Sequence, residues 1–518
     1  DIINDNRHWM RMLCFGGVGY VNGLFSNFPA EEILTDPRML YAKVYASVLG
    51  GDFRNARQYH DAAEAIIDRD GITPQLLVER LGVGTGLLRR IEFKMEKDGG
   101  WLKERLETIE TLKAKSPKTS VNLNVLSSFV NHALAIQSCV FGDFKIARTY
   151  MREAKVGSEK GFNPVGSGYL KASHGVIEFW SNEVKEARRF LTSASENVTD
   201  VAGDYSNVNS VVTTLLCAFD YWQSALEDEV QFDIESPLLR LVEADGWYDV
   251  YAIGFDTAVH DALCRQDYEK ADALIGKLEQ STDRLAIKRL TQFSELLRLN
   301  IFAVGGSPVQ AEQSYDKVRK WFSIDHDVTE EHGWFHWVVA SFTCAQYFQS
   351  IEEYNEALRY VEAGLTIADE LDVVLMRVRG NILKASILES LGKRDQGVII
   401  LENAIQDAVR VGCIRAFACD VSKTLLAQAV SSVMDKTEAE AVKAFATRLA
   451  VAGAQKLFSS REEEVLHGIA QGKSNKEIAR ELDLTENTIK FHLRNIYRKL
   501  DVKKRVPAVE KARELGIL

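Results

Sequence analysis

The stretch GKSNKEIARELDLTENTIKFHLRNIYRKL, residues 472–500, reads as two helices meeting at a tight turn. Ser474-Asn475-Lys476-Glu477 is a capping box: the Ser474 hydroxyl accepts from the Glu477 amide, and the Glu477 carboxylate reaches back. The helix it starts buries Ile478, Ala479 and Leu482. Asp483-Leu484 turns the chain. Thr485 caps a second, longer helix that runs to about Lys499 and buries Ile489, Leu493, Ile496 and Leu500 at helical spacing.

The flanks complete a four-helix unit. Upstream, Ser459-Ser460-Arg461-Glu462 is another capping box, opening a helix that buries Val465, Leu466, Ile469 and Ala470 and ends at Gln471-Gly472. Downstream, a helix from Arg505 to Leu515 is expected to close the core with Val506, Val509, Ala512 and Leu515.

Short helices joined by a tight turn and followed by a longer basic helix are the helix-turn-helix layout. Outside its buried stripe the long helix presents Asn487, Lys490, Phe491, Arg494 and Arg498. Lys490, Arg494 and Arg498 share one face at i, i+4 and i+8. Lys and Arg pair with guanine N7 and O6 in the major groove, and Phe491 can touch a thymine methyl. Asn475, Lys476, Thr485, Thr488, Lys499 and Arg505 sit near helix ends, where phosphates are met. A small helical protein-interaction domain with solvated basic residues is the alternative.

Residues 458–512 resemble the LuxR-type helix-turn-helix of bacterial regulators. The matching text is Ser459-x-Arg461-Glu462-x-Glu464-Val465-Leu466, then Gly472-x-Ser474-Asn475-Lys476-Glu477-Ile478-Ala479. It continues as Thr488-Ile489-Lys490-x-His492-Leu493-x-Asn495-Ile496-Tyr497-x-Lys499-Leu500. The resemblance implies a recognition helix in the major groove, with Lys490, Phe491 and Arg494 facing bases. Position 491 is often a small aliphatic in that family, so Phe491 implies an altered base preference. His492 is a family feature that implies a structural or phosphate-facing role.

Charge is distributed to match. The 518 residues carry a net charge of −11, yet residues 459–518 hold 13 Lys and Arg against 10 Asp and Glu. The rest holds 50 against 64. A mildly basic tail on an acidic body fits a localised DNA reader.

From about Ile33 to Gly453 helical periodicity dominates, and one phrase recurs: a polar or small pair, often an aromatic, then Ala. It reads Gly51-Asp52-Phe53…Ala56, Gly142-Asp143-Phe144…Ala147, Asn182-Glu183-Val184…Ala187 and Gln266-Asp267-Tyr268…Ala271. Further copies are Ser307-Pro308…Ala311, Glu353-Tyr354…Ala357 and Lys393-Arg394…Gly397. Ala147 to Ala187, Ala271 to Ala311, and Ala357 to Gly397 are each 40 residues apart. Such a period means a repeated helix pair, with Ala allowing close approach and neighbouring pairs covering each other's apolar faces. The fold class is therefore all-α: a TPR-like helical-repeat superhelix (1–432), a helical linker (433–457) and the helix-turn-helix domain (458–518).

The repeats, with Phe28-Pro29-Ala30-Glu31-Glu32-Ile33-Leu34-Thr35-Asp36-Pro37-Arg38-Met39-Leu40 as an entry phrase, resemble those of the large MalT-like ATP-dependent regulators. That resemblance implies inducer binding in the repeats and an ATPase module before them. Gly16-Gly17-Val18-Gly19 and Gly82-Val83-Gly84-Thr85-Gly86 lack the Lys and following hydroxyl of a phosphate loop and read as turns. No cofactor is expected on these residues, and ATP only if a module lies upstream of Asp1.

Other chemistry is sparse. The seven cysteines are scattered, without a C-x-x-C pair, and read as small core hydrophobes in a reducing cytoplasm rather than a zinc site or disulfide framework. His332 and His336 are spaced as metal ligands can be, but no carboxylate completes a site, so packed histidines are expected. Most aromatics read as core, while Trp334, Trp337 and Trp222 are candidates to line a concave effector-binding face. There is no apolar membrane span, no secretory leader at Asp1 and no catalytic constellation, so no enzyme is expected. The expected function is a transcription activator. Its expected partners are double-stranded promoter DNA, RNA polymerase, an effector held by the repeats, and a second copy on DNA. The competing reading is a protein-binding repeat scaffold with an accessory tail.

Overall fold

The computed structural model describes residues 23–518 apart from 24, 50–51, 72–79, 81–96, 98, 116–119, 159–163, 203–206, 224–232, 245–246, 266, 286, 306, 326–328, 419–421, 455–457, 459, 483–485, 501, 503 and 515–516. The two glycine-rich runs read as turns, 16–19 and 82–86, lie outside these residues. Helices α1 (Ala30–Thr35), α2 (Pro37–Leu49) and α3 (Phe53–Asp70) open the described chain. They are followed by α4 (Gly100–Lys115), α5 (Ser120–Val140), α6 (Phe144–Ser158), α7 (Pro164–Trp180) and α8 (Val184–Ala202). Next come α9 (Asn207–Gln223), α10 (Glu235–Ala244), α11 (Tyr248–Cys264), α12 (Tyr268–Leu285), α13 (Lys288–Val304) and α14 (Pro308–Val318). The body ends with α15 (Thr329–His332), α16 (Trp334–Ser350), α17 (Tyr354–Glu370), α18 (Val374–Ser390), α19 (Arg394–Val411), α20 (Lys423–Lys436) and α21 (Glu440–Ala454). The described residues of the body hold no strand.

The recurrent phrase starts the second helix of each pair. Phe53, Phe144, Val184, Tyr268, Pro308, Tyr354 and Arg394 are the first residues of α3, α6, α8, α12, α14, α17 and α19. The Ala three residues on is fully buried in every copy that has one: Ala56, Ala147, Ala187, Ala271, Ala311 and Ala357. At the last copy Gly397 lies so near its partner helix that a Cβ would sit 3.1 Å from the Ala385 carbonyl. The turn before the phrase needs a left-handed residue, which Gly142 (φ 84°) supplies without strain and Asn182 (φ 65°) supplies with a side chain. The double step between Ala187 and Ala271 holds the pair α9 and α10.

The superhelix closes on itself. Asn182, in the α7–α8 turn, donates to the Asp372 carbonyl (2.6 Å) and accepts from the Val374 amide (3.1 Å). Trp334 Nε1 donates to the Cys139 carbonyl (2.9 Å). Arg379 on α18 grips Asp256 on α11 with two hydrogen bonds of 2.7 and 3.0 Å. Inward aromatics fill the space between: Phe179 stacks on Phe219 (3.7 Å between centroids), and Trp180 meets Trp334 edge-on at 5.1 Å. One large apolar core runs from Val44 to Leu449, beside two smaller clusters around Leu40 and Ile67 and around Leu102 and Leu134. Packing within it is tight at Gly380, where a Cβ would lie 2.6 Å from Phe342 and 2.7 Å from Leu365. Gly380→Ala is expected to cost about 1–3 kcal/mol through overpacking, read as a lower denaturation midpoint; an unchanged midpoint would mean α17 and α18 can separate freely.

Three features differ from the sequence reading. The linker expected at 433–457 ends α20 and forms α21 in its described part, with a non-helical break at 437–439, but Val433, Phe445, Ala446 and Leu449 belong to the body's core. Apolar i, i+3, i+4 spacing in α21 is the reason. Cys264 is disulfide-bonded, whereas Cys139, Cys217, Cys344 and Cys413 are free thiols. Of the aromatics expected to line a concave face, Trp337 is packed in the interior against Phe322. No helix among the described residues is long and apolar enough to cross a membrane.

Candidate nucleic-acid interface

The tail builds its own small core. Helices α22 (Ser460–Ala470), α23 (Asn475–Glu481), α24 (Glu486–Lys499) and α25 (Arg505–Glu514) bury Phe458, Val465, Leu466, Ile469, Ile478, Ala479, Ile489, Leu493, Ile496, Leu500, Ala508 and Ala512 together. The second capping box is present: Glu477 N–H donates to Ser474 Oγ (3.3 Å), and Ser474 N–H donates to Glu477 Oε2 (2.7 Å). These bonds hold the Glu477 carboxyl below its usual range, the backbone amide contributing first. Gly472 takes the left-handed conformation (φ 79°) that ends α22. Gly468 allows α22 and α23 to touch, since a Cβ there would meet Ile478 at 2.8 Å. Ser459 and Thr485, expected as caps, lie outside the described residues. Val506, expected in the core, is 66 % exposed: Ala508 and Ala512 set the buried face of α25, and Val506 falls off it.

The long helix α24 is held by α22 and α23 through Ile489, Leu493 and Ile496, all buried. Lys490 is exposed beside that stripe. Asn487, Thr488, Phe491, Arg494 and Arg498 lie on the same helix, and Lys476 is exposed on α23. His492 is 2 % exposed, with its ring edge-on to Tyr268 at 6.5 Å between centroids, which makes it a packing residue.

Two cations expected at phosphates have internal partners instead. Lys499 donates to the carboxylate of Glu462, which is fully buried, and lies over the Phe458 ring at 5.9 Å. Arg505 donates to the Lys473 carbonyl and lies 3.4 Å from Asn475 Oδ1, tying the start of α25 to the start of α23. Asn475 is thereby drawn into the same tie. Sequence alone could not separate these from solvated cations, because the partner carboxylate and carbonyl are 37 and 32 residues away. Lys504, exposed next to Arg505, escaped the sequence reading. Its only signal is membership of the run Lys503-Lys504-Arg505.

The candidate effector residues separate. Trp334 lines a cleft in the body with Trp180, Trp247 and Phe335. Trp222 lines a smaller one with Phe179 and Val373, while its Nε1 donates to Thr257 (3.2 Å). Trp337 is buried against Phe322 and lines neither. His332 and His336 are packed: His332 Nε2 pairs with Gln292 (3.0 Å) and His336 Nδ1 with the Tyr248 hydroxyl (2.5 Å). Burial first, then His332 and Arg289, push the His336 pKa well below the usual value, so it is neutral. The described residues contain no group of three or more His, Cys, Asp or Glu able to hold a metal.

A compact four-helix unit whose longest helix carries the exposed Lys490, set on a helical-repeat body, defines a helix-turn-helix protein. Residues 456–512 match the family described as bacterial regulatory proteins, luxR family, and this part of the chain is a LuxR-type helix-turn-helix domain. The chain is similar to the nitrate/nitrite response regulator protein NarP of Escherichia coli, 52 % identical over 52 residues. That is 10 % of this chain and 24 % of the relative. It is 32 % identical to the transcriptional regulatory protein DesR of Bacillus subtilis over 111 residues, 21 % of this chain and 54 % of DesR. It is 47 % identical to the HTH-type transcriptional regulator MalT of Vibrio cholerae over 58 residues, 11 % of this chain and 6 % of MalT. The chain thus spans about a quarter of the length of the first curated relatives it matches.

Proposed function

We propose that this chain is a DNA-binding transcription regulator whose helical-repeat body senses an effector and whose tail reads promoter DNA. The observation that supports it most is the exposed Lys490 on a helix anchored through Ile489, Leu493 and Ile496 to a capped partner helix. In the proposed complex α24 enters the major groove, with Lys490, Phe491 and Arg494 toward bases. Asn487, Thr488, Arg498, Thr485 and Lys476 meet the sugar-phosphate backbone, with the exposed Lys504 beside Arg505 as a further phosphate contact. Two copies on paired half-sites, contact with RNA polymerase and activation rather than repression complete the reading.

Lys490→Ala is expected to cost about 1–3 kcal/mol on the specific site and to relax base preference at one position. Lys476→Ala is expected to weaken binding to all sequences alike and to lower the slope of log K against log salt by about one. Fluorescence anisotropy on the protein's own promoter region and on random DNA, across a salt series, checks both. Equal losses on specific and random DNA for Lys490→Ala would remove its base-reading role.

A further inference from the structure

Cys264 stands apart from the other described cysteines. It is the last residue of α11 and is disulfide-bonded, whereas Cys139, Cys217, Cys344 and Cys413 are free. Its partner is Cys14 or Cys419, the two cysteines outside the described residues. Burial pushes the Cys217 thiol up to about 11 and the Cys413 thiol up to about 12, and raises the Cys344 thiol as well. Such thiols stay protonated and react slowly with oxidants. Cys264 is only half-buried, at a helix end, with its Sγ 3.6 Å from Nδ1 of His260 one turn earlier. Small thiols and peroxides can reach a sulfur so placed. Disulfides in thiol-rich compartments, where DNA is read, are mostly transient and redox-sensing.

The position of Cys264 gives the bond a lever on the tail. The turn after it leads, four residues on, to Tyr268, which opens α12. The Tyr268 ring faces the His492 ring on α24 at 6.5 Å between centroids. A second point of approach lies at the start of α20, where Lys423 is near enough to Lys499 and Glu462 to feel both charges. The tail therefore rests on the body at two helix starts, one of them just beyond Cys264. The chain before the tail holds 50 Lys and Arg against 64 Asp and Glu, so a tail seated on it approaches DNA together with an acidic surface.

We propose that the Cys264 disulfide is a redox switch: oxidised, it fixes the turn that carries Tyr268 and keeps the tail seated on the acidic body; reduced, it loosens that seat and lets the tail approach DNA. This rests on the reading that the tail binds DNA. Reduction consumes two small thiols, which leave as their own disulfide while both cysteines gain a proton. Re-oxidation consumes one hydrogen peroxide: the two thiols give up two protons and two electrons, the S–S bond forms, and the O–O bond breaks to leave two waters.

The test uses the full chain. After peroxide and then denaturation it is expected to show two fewer titratable thiols than after dithiothreitol, and millimolar glutathione is expected to open the bond in the folded chain. Reduction is expected to tighten promoter binding by about three- to tenfold at low salt, an advantage that fades as added salt screens the body. Cys264→Ser is expected to bind like the reduced chain, with or without peroxide. Tyr268→Ala is expected to bind like the reduced chain too, while its thiol count still falls by two on oxidation. A bond that resists millimolar glutathione would be a structural staple and would overturn the switch. Equal DNA affinity of the oxidised and reduced parent chain, a comparison that needs no substitution, would overturn it as well. Tyr268→Ala still weakened by peroxide would overturn the seat at Tyr268. No promoter binding in either state would instead overturn the DNA reading, a failure the thiol counts distinguish because they need no DNA.

Discussion

Lys499→Met is expected to destabilise the tail by about 3–5 kcal/mol and to abolish DNA binding, while the body stays folded. The reason lies in Glu462, which is fully buried in the tail and receives a hydrogen bond from Lys499. Removing one partner of a buried ion pair leaves a low-dielectric carboxylate without the cation that donates to it, with Lys423 the charge that remains nearby, and losses of this order follow. A core of about 60 residues supplies only about 3–5 kcal/mol in all, so the loss is comparable to the whole stability of the domain. Hydrogen exchange resolves it, with amides of α22 to α24 exchanging fast and those of the body unchanged.

A second variant decides what Lys499 does. Replacing both members, Glu462→Leu with Lys499→Met, removes the charge and its need for a partner together, and such swaps are often neutral or stabilising. Structure and DNA affinity are both expected to return. A double variant that folds but fails to bind DNA would return Lys499 to the phosphate contacts that its position near the end of a basic helix suggests.

Lys499 shows where local sequence stops deciding a side chain's partner. The helix pairs were legible because the turn phrase and its buried Ala are local: Asp143 to Ala147, and Glu353 to Ala357, fix a cap and a close approach within one turn of helix. The capping box at Ser474 and Glu477 was legible for the same reason. Closure of the superhelix was not. Asn182 reaches a turn 190 residues away, and nothing in its neighbourhood announces that. Consequently Trp337, a candidate for a ligand-facing surface, is interior packing, whereas Trp222 and Trp334 line clefts, Trp334 only because Cys139 and Trp180 are brought beside it. In the sequence Arg289 is one Arg among many. Its burial is a property of the closed ring, not of its own helix.

Closure also sets how the body unfolds. In an open repeat array each unit touches only its neighbours, stability is a sum of local terms, and parts can melt separately. Here Arg379 and Asp256 join helices 123 residues apart, with the guanidinium also lying over the Trp222 ring at 4.9 Å. Asp256→Ala is therefore expected to cost about 1–3 kcal/mol, because the half-buried Arg379 loses two charge-assisted hydrogen bonds. More tellingly, it is expected to split one transition into two. The intact body, bridged at Asn182, Trp334 and Arg379, should melt as a unit in urea. With one bridge gone, the α5–α12 half and the α16–α20 half should separate, giving a smaller m-value for each step. Tryptophan fluorescence reports on the closure, since Trp180, Trp222 and Trp334 all lie in it, and circular dichroism reports on helix throughout. Coincident transitions by the two probes in Asp256→Ala would show that nearest-neighbour packing alone keeps the array cooperative. Divergence in the variant, with coincidence in the parent chain, is what a closed ring requires.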